Sequence, residues 1–227
     1  MVAEAVSDPL DRYQSYFADT WRDDDAIDRV RFVVLDSETT GLNPATDRLI
    51  TIGAVAVLAG EIVLEDSFSA LIQIAHNTEA VTVHGVTRDQ ARGGVSEAEA
   101  LEKFLDYLRD GVIVGHHIGH DVATIDVAME RLWGGRLLNR NLDTMDLTLH
   151  LEGDGALASY PPVRHFTLES LCTMFGVTPH DRHTATGDAF ITAQVFLRLV
   201  RLANRTGRAT LSRLTEIFPV PGDAEPA

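Results

Sequence analysis

Apolar and polar residues are arranged along the chain in blocks that predict three strands, followed by helices that alternate with shorter strands. The run RFVVL, residues 31–35, is apolar and rich in β-branched residues, as is typical of a buried strand. Two further strands are predicted over 49–58 and 61–72, and the Ala-Gly dipeptide between them has the length of a two-residue hairpin. We therefore expect these two strands to pair in antiparallel orientation.

The second half of the chain has helical periodicity with two short interruptions. Ser96 and Glu99 have the spacing of a capping box, and Thr167 is the predicted cap of a later helix. Short strands are predicted in GVIVGHH and LDTMDL, each followed by a helix, and a long last helix in TGDAFITAQVFLRLVRLA. This order favours an α/β fold with a mixed sheet.

The length and charge of the chain favour one domain with flanking segments. The predicted units are an acidic N-terminal arm or peripheral helix over 1–28, a domain over 29–207 and a C-terminal tail over 208–227. The net charge is −15, and the arm supplies −6 of it through eight acids and two arginines. A balance of this sign argues against a long phosphate-binding surface.

Cysteine content and hydropathy exclude several classes of protein. The single cysteine, Cys172, excludes an internal disulfide and a cysteine-based zinc cluster. The first residues do not resemble a signal peptide, and no apolar run approaches the length of about 18 residues that a membrane helix needs. We therefore expect a soluble, cytoplasmic protein.

Basic residues are concentrated near the end of the last helix. Residues 198–213 contain five arginines and no acid, and four of the arginines have helical spacing: Arg198, Arg201, Arg205 and Arg208. Two interpretations explain this pattern, namely a solvated outer face of the helix and a contact surface for phosphate or a partner protein. We favour the solvated face.

Two carboxylates end the first strand, in the segment DSETTGL. Asp36 and Glu38 are two positions apart in the strand, so their side chains lie on the same face. Like charges at this distance repel one another, and nearby burial makes both harder to ionise unless a cation lies between them. A divalent metal ion is the natural candidate.

Two more acids stand at predicted junctions between elements. Asp121 and Asp188 lie near the starts of helices, and His183 precedes Asp188 by five residues. Alone, either acid could be a helix cap and the histidine an ordinary loop residue. Junctions of this kind can gather at one edge of an α/β sheet, however. Four carboxylates and a histidine are the ingredients of two-metal phosphoryl chemistry, with the histidine as proton acceptor.

These segments resemble the DEDD superfamily of 3′-to-5′ exonucleases, in its histidine-containing branch, which includes the proofreading subunit of bacterial replicative DNA polymerases. DSETTGL, VGHHIGHD and HTATGDAF are similar to the three family motifs in family order, and the resemblance spans residues 31–203. Similar segments between the motifs are VHGVT (83–87), LDTMDL (142–147) and LESLCTMFGV (168–177). The resemblance implies a ribonuclease-H-like fold, with about five strands of which the first three are antiparallel, and makes 29–207 an exonuclease domain.

The resemblance also implies two divalent ions, Mg²⁺ or Mn²⁺, and a role for each site residue. Asp36, Glu38 and Asp188 would bind the catalytic ion. Asp36 would bridge to the second ion, which Asp121 would support. His183 would be the general base. The residues expected to contact the terminal nucleotide are Thr39, Thr40, Gly41, Leu42 and His84.

The second motif departs from the family pattern. The family has Asn at the position of His117 and Phe at the position of His120. An additional metal-binding imidazole and ordinary polar packing are the two interpretations of His116, His117 and His120, and we favour packing. Asp121 is retained, so the departure concerns how the nucleotide next to the terminus is held.

The implied activity is removal of 3′-terminal nucleotides from single-stranded nucleic acid. A proofreading or repair deoxyribonuclease is expected, and an oligoribonuclease-like or RNA-trimming enzyme is the alternative, because tolerance of a 2′-hydroxyl depends on pocket shape. The expected protein partner is a polymerase or another replication or repair protein. A non-catalytic module docked on a polymerase is the competing class, but such a module would not need all five catalytic residues.

Overall fold

A mixed sheet of five strands forms the centre of the computed structural model, which describes residues 8–73 and 93–215. The strands lie in the order β3-β2-β1-β4-β5. Their bounds are Phe32–Thr39 (β1), Leu49–Leu58 (β2), Glu61–Leu71 (β3), Val112–Gly115 (β4) and Asn141–Asp143 (β5). β2 pairs antiparallel with β1 and β3, whereas β4 pairs in parallel with β1 and β5. The predicted α/β class and the antiparallel first three strands are confirmed.

Helices occupy the segments around the strands. Their bounds are Pro9–Ser15 (α1), Glu97–Leu108 (α2), Gly119–Trp133 (α3), Thr144–Gly153 (α4), Leu168–Phe175 (α5), Ala185–Arg205 (α6) and Leu211–Thr215 (α7). The predicted caps are present, since the hydroxyl of Ser96 accepts a hydrogen bond from the amide of Glu99 and Thr167 accepts one from Ser170, both at 3.2 Å. None of the described helices is long and apolar enough to cross a membrane.

The turn between β2 and β3 has the two-residue form that the Ala-Gly dipeptide predicts. Leu58 pairs with Glu61 across the hairpin. Ala59 and Gly60 both have positive φ, 53° and 76° respectively. Two consecutive positive φ values are typical of a type I′ turn, whose twist matches that of the flanking strands.

Alternate residues of β1 pack into two hydrophobic cores, one on each face of the sheet. Phe32 and Val34 belong to the core that α6 covers, where the ring centroids of Phe32 and Phe196 lie 5.1 Å apart. Val33 and Leu35 belong to the core shared with α2 and α3. Because β1 is buried on both faces, its polar end is held on a closely packed strand.

Segments on both sides of the predicted 29–207 domain pack against it. Tyr13 of α1 is fully buried, and its hydroxyl donates a hydrogen bond to the side-chain oxygen of Asn139 at 2.5 Å. Leu211 and Leu214 of α7 are also fully buried. The domain boundaries themselves stay a prediction. Within the described residues, the flanks contribute buried apolar surface that stabilises the domain.

The four arginines with helical spacing do not share one exposed face, so that prediction is wrong. α6 ends at Arg205, and Arg208 lies beyond it as a buried residue whose guanidinium is 2.8 Å from a carboxylate oxygen of Asp154. The guanidinium of Arg198 donates hydrogen bonds to two backbone carbonyl oxygens. Only Arg201 and Arg205 of the four are exposed.

Candidate active site

Three carboxylates converge near the carboxyl end of β1. Asp36 and Glu38 extend from the strand and Asp188 from the first turn of α6, and one oxygen of each lies within 4.8 Å of the others. Glu38 is 9% exposed and Asp188 is 8% exposed. Hard oxygen ligands at this spacing suit a divalent ion such as Mg²⁺ or Mn²⁺.

A glycine in β2 allows α6 to bring Asp188 to this place. Gly53 of β2 pairs with Asp36 of β1 in the antiparallel register. A Cβ atom on Gly53 would lie 2.4 Å from the carbonyl carbon of Ala185 and from the amide nitrogen of Thr186. Only a residue without a side chain permits this approach, so the start of α6 packs directly over the strand that neighbours the carboxylates.

Burial and mutual repulsion disfavour the ionised forms of these carboxylates. Burial is the main cause that raises the pKa of Asp36 well above its ordinary value, and the charges of Asp121 and Asp188 raise it further. Burial and then the charge of Asp188 raise the pKa of Glu38 to about 7. A bound cation would relieve this repulsion, and the donor set therefore fits a metal ion.

Asp121 lies beside the three carboxylates and is held through Ser37. Its Oδ1 accepts hydrogen bonds from the backbone amide and the hydroxyl of Ser37, at 2.8 Å and 2.6 Å. Burial raises the pKa of Asp121 to about 6, although the Ser37 hydrogen bonds favour the charged form. Among the described residues, Asp121 does not belong to the group of carboxylates whose oxygens lie within 4.8 Å of one another. Its charge nevertheless raises the pKa of Asp36. This position suits a residue that supports a second ion indirectly.

The loop before α6 carries the predicted general base. The backbone amide of His183 donates a hydrogen bond to Oδ2 of Asp188 at 3.2 Å, and the residue is exposed. Burial is the main cause of the raised pKa of Glu38, and the charge of His183 lowers this pKa. The imidazole therefore lies within electrostatic range of the carboxylates and remains open to solvent.

Arg182 is a site residue that the sequence analysis did not single out. Its guanidinium forms ion pairs with Asp188 and with Glu169 of α5. The only signal in the sequence was that Arg182 is a basic residue directly before His183, whereas the other charged residues predicted for the site are acids. Ser37 was also missed, because a serine between two acids on a strand points to the opposite face from both.

The segment at the end of β1 contains the predicted nucleotide contacts. Thr39 is buried and its hydroxyl donates to the carbonyl oxygen of Gly41 at 2.6 Å, and the Thr40 hydroxyl donates to Asp47 at 3.1 Å. A Cβ atom on Gly41 would lie 2.6 Å from Oδ2 of Asp47. A side chain at this position would therefore have to displace the Asp47 carboxylate. Leu42 is 90% exposed, which leaves an apolar side chain at the rim of the site.

The histidines of the second motif lie around the site without joining its carboxylate group. Nδ1 of His116 lies 2.9 Å from a threonine hydroxyl of α4, and burial lowers the pKa of His116 to about 4. Nε2 of His120 lies 3.4 Å from Oγ1 of Thr39, and His117 is exposed. The predicted contact His84, within VHGVT, lies outside the described residues.

Comparison with known sequences gives one family and a consistent set of relatives. Residues 33–196 match the RNase_T family, described as an exonuclease. The chain is 33% identical over 199 residues to DNA polymerase III PolC-type of Thermotoga maritima, covering 86% of this chain and 14% of that protein. It is 30% identical over 189 residues to the protein of the same name from Caldanaerobacter subterraneus, covering 82% and 13%. The chain thus spans a small part of the length of these relatives.

Solved structures with a similar fold include two complexes of E. coli exonuclease I. The complex with a dT13 oligonucleotide has a TM-score of 0.66 and 20% identity, and covers 85% of this chain and 47% of that chain. The complex with a dA16 oligonucleotide has a TM-score of 0.67 and 20% identity, and covers 78% and 42%. At this identity the likeness concerns the fold, and it confirms the predicted ribonuclease-H-like architecture.

Proposed function

The chain belongs to the RNase_T exonuclease family, and from this premise we propose that it removes 3′-terminal nucleotides from single-stranded DNA by metal-dependent phosphodiester hydrolysis. Family membership confirms the predicted class, a DEDD-type 3′-to-5′ exonuclease, and an enzyme rather than an adaptor. The observation that carries the proposal is the convergence of Asp36, Glu38 and Asp188 next to the loop that bears His183.

The proposed metal ligands follow from this convergence. Asp36, Glu38 and Asp188 would hold the catalytic Mg²⁺ or Mn²⁺, whose charge would stabilise the oxygens of the attacked phosphate. Asp36 would bridge to a second ion, and Asp121 would support that ion from its position on Ser37. The raised pKa values of Asp36 and Glu38 support these assignments, because three carboxylates this close favour a cation among them.

The other site residues would hold the water and the terminal nucleotide. His183 would accept the proton of the attacking water, since its imidazole is exposed beside the metal ligands and histidine is the side chain that most often acts as a general base. Its backbone contact with Asp188 would keep the base beside the metal ligands. Thr39, Thr40 and Gly41 would contact the terminal nucleotide, and Leu42 would pack against its base. The predicted contact of His84 stays a prediction.

Single-stranded DNA is the proposed substrate because the proteins with a similar fold or sequence are associated with DNA. Two of the similar solved structures are complexes with dT13 and dA16 oligonucleotides, and the curated relatives reported above are DNA polymerases. A polymerase or another replication or repair protein is the proposed partner. Since the chain spans 14% of the first of these relatives, the polymerase activity lies outside this proposal. A cytoplasmic location, predicted from the sequence, stays a prediction.

Product analysis on matched DNA and RNA tests the proposal. Single strands of equal sequence, labelled at the 5′ end, are incubated with Mg²⁺ or Mn²⁺, and Asp36→Asn serves as the inactive control. We expect DNA products that shorten by one nucleotide at a time, no reaction with chelator, and no reaction with the variant. Internal cleavage or an active Asp36→Asn enzyme would contradict the proposal. Shortening of RNA alone would favour the RNA-trimming alternative.

A further inference from the structure

We propose that the guanidinium of Arg182 pairs with Asp188 as an internal cation until a divalent ion binds. When the ion displaces this guanidinium from Asp188, the guanidinium remains paired with Glu169. This inference rests on the proposed function, because it concerns the metal affinity of the same site. Nη1 of Arg182 donates to Oδ1 of Asp188, and Nη2 donates to Glu169. Arg182 thus acts on metal binding as a positioning residue, through a ligand that it shares with the metal.

Both oxygens of Asp188 are already engaged by the loop before α6. Oδ1 accepts from the guanidinium of Arg182, and Oδ2 accepts from the backbone amide of His183 at 3.2 Å. Each oxygen keeps a free lone pair for an ion, but the charge of a divalent ion on Asp188 would oppose the positive charge of the guanidinium that pairs with the same carboxylate. The amide belongs to the backbone, whereas the guanidinium is at the end of a flexible side chain, so the guanidinium is the donor that yields.

Contacts within this loop hold its backbone in place, so that the side chain of Arg182 can move while the backbone amide of His183 cannot. The hydroxyl of Thr184 donates to the carbonyl oxygen of Asp181 at 2.6 Å, and a Cβ atom on Gly187 would lie 2.1 Å from that oxygen. Asp181 and His183, on either side of Arg182, have φ values of 52° and 63°. Positive φ is uncommon for residues other than glycine, and the contacts of Thr184 and Gly187 hold the loop in this conformation.

The two carboxylates that pair with Arg182 differ in exposure, as expected if the guanidinium leaves one of them and stays with the other when a metal ion binds. The side chain of Asp188 is 11% exposed and that of Glu169 is 59% exposed. An ion pair with a buried carboxylate is weakly screened, whereas a pair with an exposed carboxylate is weak and easily remade in water. The planar guanidinium can bind both carboxylates at once, and it retains Glu169 as an anchor after it leaves Asp188.

Arg182 performs for the carboxylates part of the task that a metal ion would perform. Its charge opposes the burial and the mutual repulsion that raise the pKa values of Asp36 and Glu38. A divalent ion carries twice that charge and would repel the guanidinium. Metal and Arg182 therefore bind the site with negative coupling, which is reciprocal by thermodynamic linkage.

This coupling predicts opposite effects of two substitutions on Mn²⁺ binding. Arg182→Gln removes the competitor and should tighten binding about tenfold, the size of one charge-assisted hydrogen bond. Glu169→Gln removes the anchor for the displaced guanidinium and should weaken binding by about threefold. In the Arg182→Gln background, Glu169→Gln should have no further effect, because nothing remains to be anchored.

Calorimetric titration of Mn²⁺ and thermal melting measure these effects without reference to activity. Arg201→Gln is the matched control, because it makes the same change of net charge on the exposed side of α6. We expect Arg182→Gln to melt at a lower temperature than wild type without Mn²⁺ and to gain more from its addition. The control should bind Mn²⁺ as wild type does.

The outcomes separate this inference from the proposed function. If wild type binds Mn²⁺ and loses binding in Asp188→Asn, but Arg182→Gln binds no more tightly than the control, the role of Arg182 is wrong and the metal site stands. Should Arg182→Gln fail to fold, tighter or unchanged binding by Glu169→Gln overturns the inference. A wild-type protein that binds no Mn²⁺ overturns both the inference and the proposed function.

Discussion

At the scale of single residues, the placement of negative charge decides the chemistry of the site. The chain has 34 acidic residues, yet within the described ranges only Asp36, Glu38 and Asp188 form a compact group of possible ligands. Burial weakens the screening of their repulsion by water, so the fold holds them at a cost in free energy that protonation or a cation offsets. Binding of a metal ion must therefore be coupled to release of protons.

Stabilisation by metal should grow with pH because of this coupling. The pKa of Glu38 is about 7 in the folded protein and 4.5 ordinarily, so between these values the folded state holds a proton that the unfolded state has lost. Without metal, this group makes stability fall as pH rises through that window. A divalent ion displaces the proton, so its effect is weakest at the acidic end. Melting temperatures with and without Mg²⁺, from about pH 5 to about pH 8, test this.

A shift that is equal at all pH values would contradict the coupling. The control is Asp188→Asn, which removes one ligand charge and the repulsion that this charge exerts on Glu38. This variant should lose most of the metal-induced shift at every pH. It should also lose part of the pH dependence of the metal-free protein.

The role of His183 can be separated from the shape of its loop. His183 and His117 are both exposed and have positive φ, 63° and 60°, a conformation that Asn tolerates. His183→Asn should lower kcat by roughly 10²-fold or more, the usual contribution of a general base. Mn²⁺ affinity should change little, because the hydrogen bond to Asp188 comes from the backbone amide. His117→Asn is the matched control and should be much milder; equal losses of kcat would contradict the assignment.

At the scale of elements, the site depends on the contact between α6 and β2. Gly53→Ala would place a Cβ atom 2.4 Å from the backbone at the start of α6, so the helix must shift away from the strand. We expect a loss of about 1–3 kcal/mol in the free energy of unfolding, as for overpacked cores. Because Asp188 moves with the helix, Mn²⁺ binding should weaken as well. Urea unfolding and calorimetric titration measure the two effects.

Gly153→Ala is the control for this contact. Gly153 ends α4 with nothing within 4 Å of an added Cβ atom, and alanine favours helix, so stability should change little or rise. If Gly53→Ala is destabilised but binds Mn²⁺ like wild type, the position of Asp188 does not depend on the contact with β2.

Local patterns predicted the elements well, because their causes are local. The hairpin at Ala59 and Gly60 and the cap at Ser96 were predicted from adjacent residues, and both are confirmed. The shared face of Asp36 and Glu38 also follows from strand alternation, and the structure brings these carboxylates together. The approach of Asp188 depends on Gly53, 135 positions earlier in the sequence numbering, and no local pattern signals that contact.

Long-range partners explain what the sequence patterns did not predict. Tyr13 is buried because it meets Asn139, which lies 126 residues away. Arg208 leaves the predicted basic face because Asp154, 54 residues away, pairs with it. Periodicity shows that a tyrosine or an arginine lies on one side of an element, but the partner on that side is set by how the elements pack.

At the scale of the whole molecule, the net charge is strongly negative. The chain carries −15, and residues 1–28 supply −6 of it. Arg198 and Arg208 are engaged by backbone carbonyls and by Asp154, so a continuous basic track along α6 is not available. Attraction for phosphate should therefore be local to the metal site and to separate exposed arginines.

The enzyme acting alone should accordingly prefer short or frayed single-stranded ends and gain little from added length. A long electrostatic track releases many counterions, so its binding falls steeply with salt, whereas local attraction at the proposed metal site gives a shallow slope. We expect similar kcat/KM for a short and a much longer oligonucleotide across a range of monovalent salt at saturating metal. The double variant Arg201→Gln with Arg205→Gln should change this little. A strong length advantage with a steep salt slope, both lost in that variant, would show that these two exposed arginines suffice to guide the strand, and processivity would then be intrinsic to the chain.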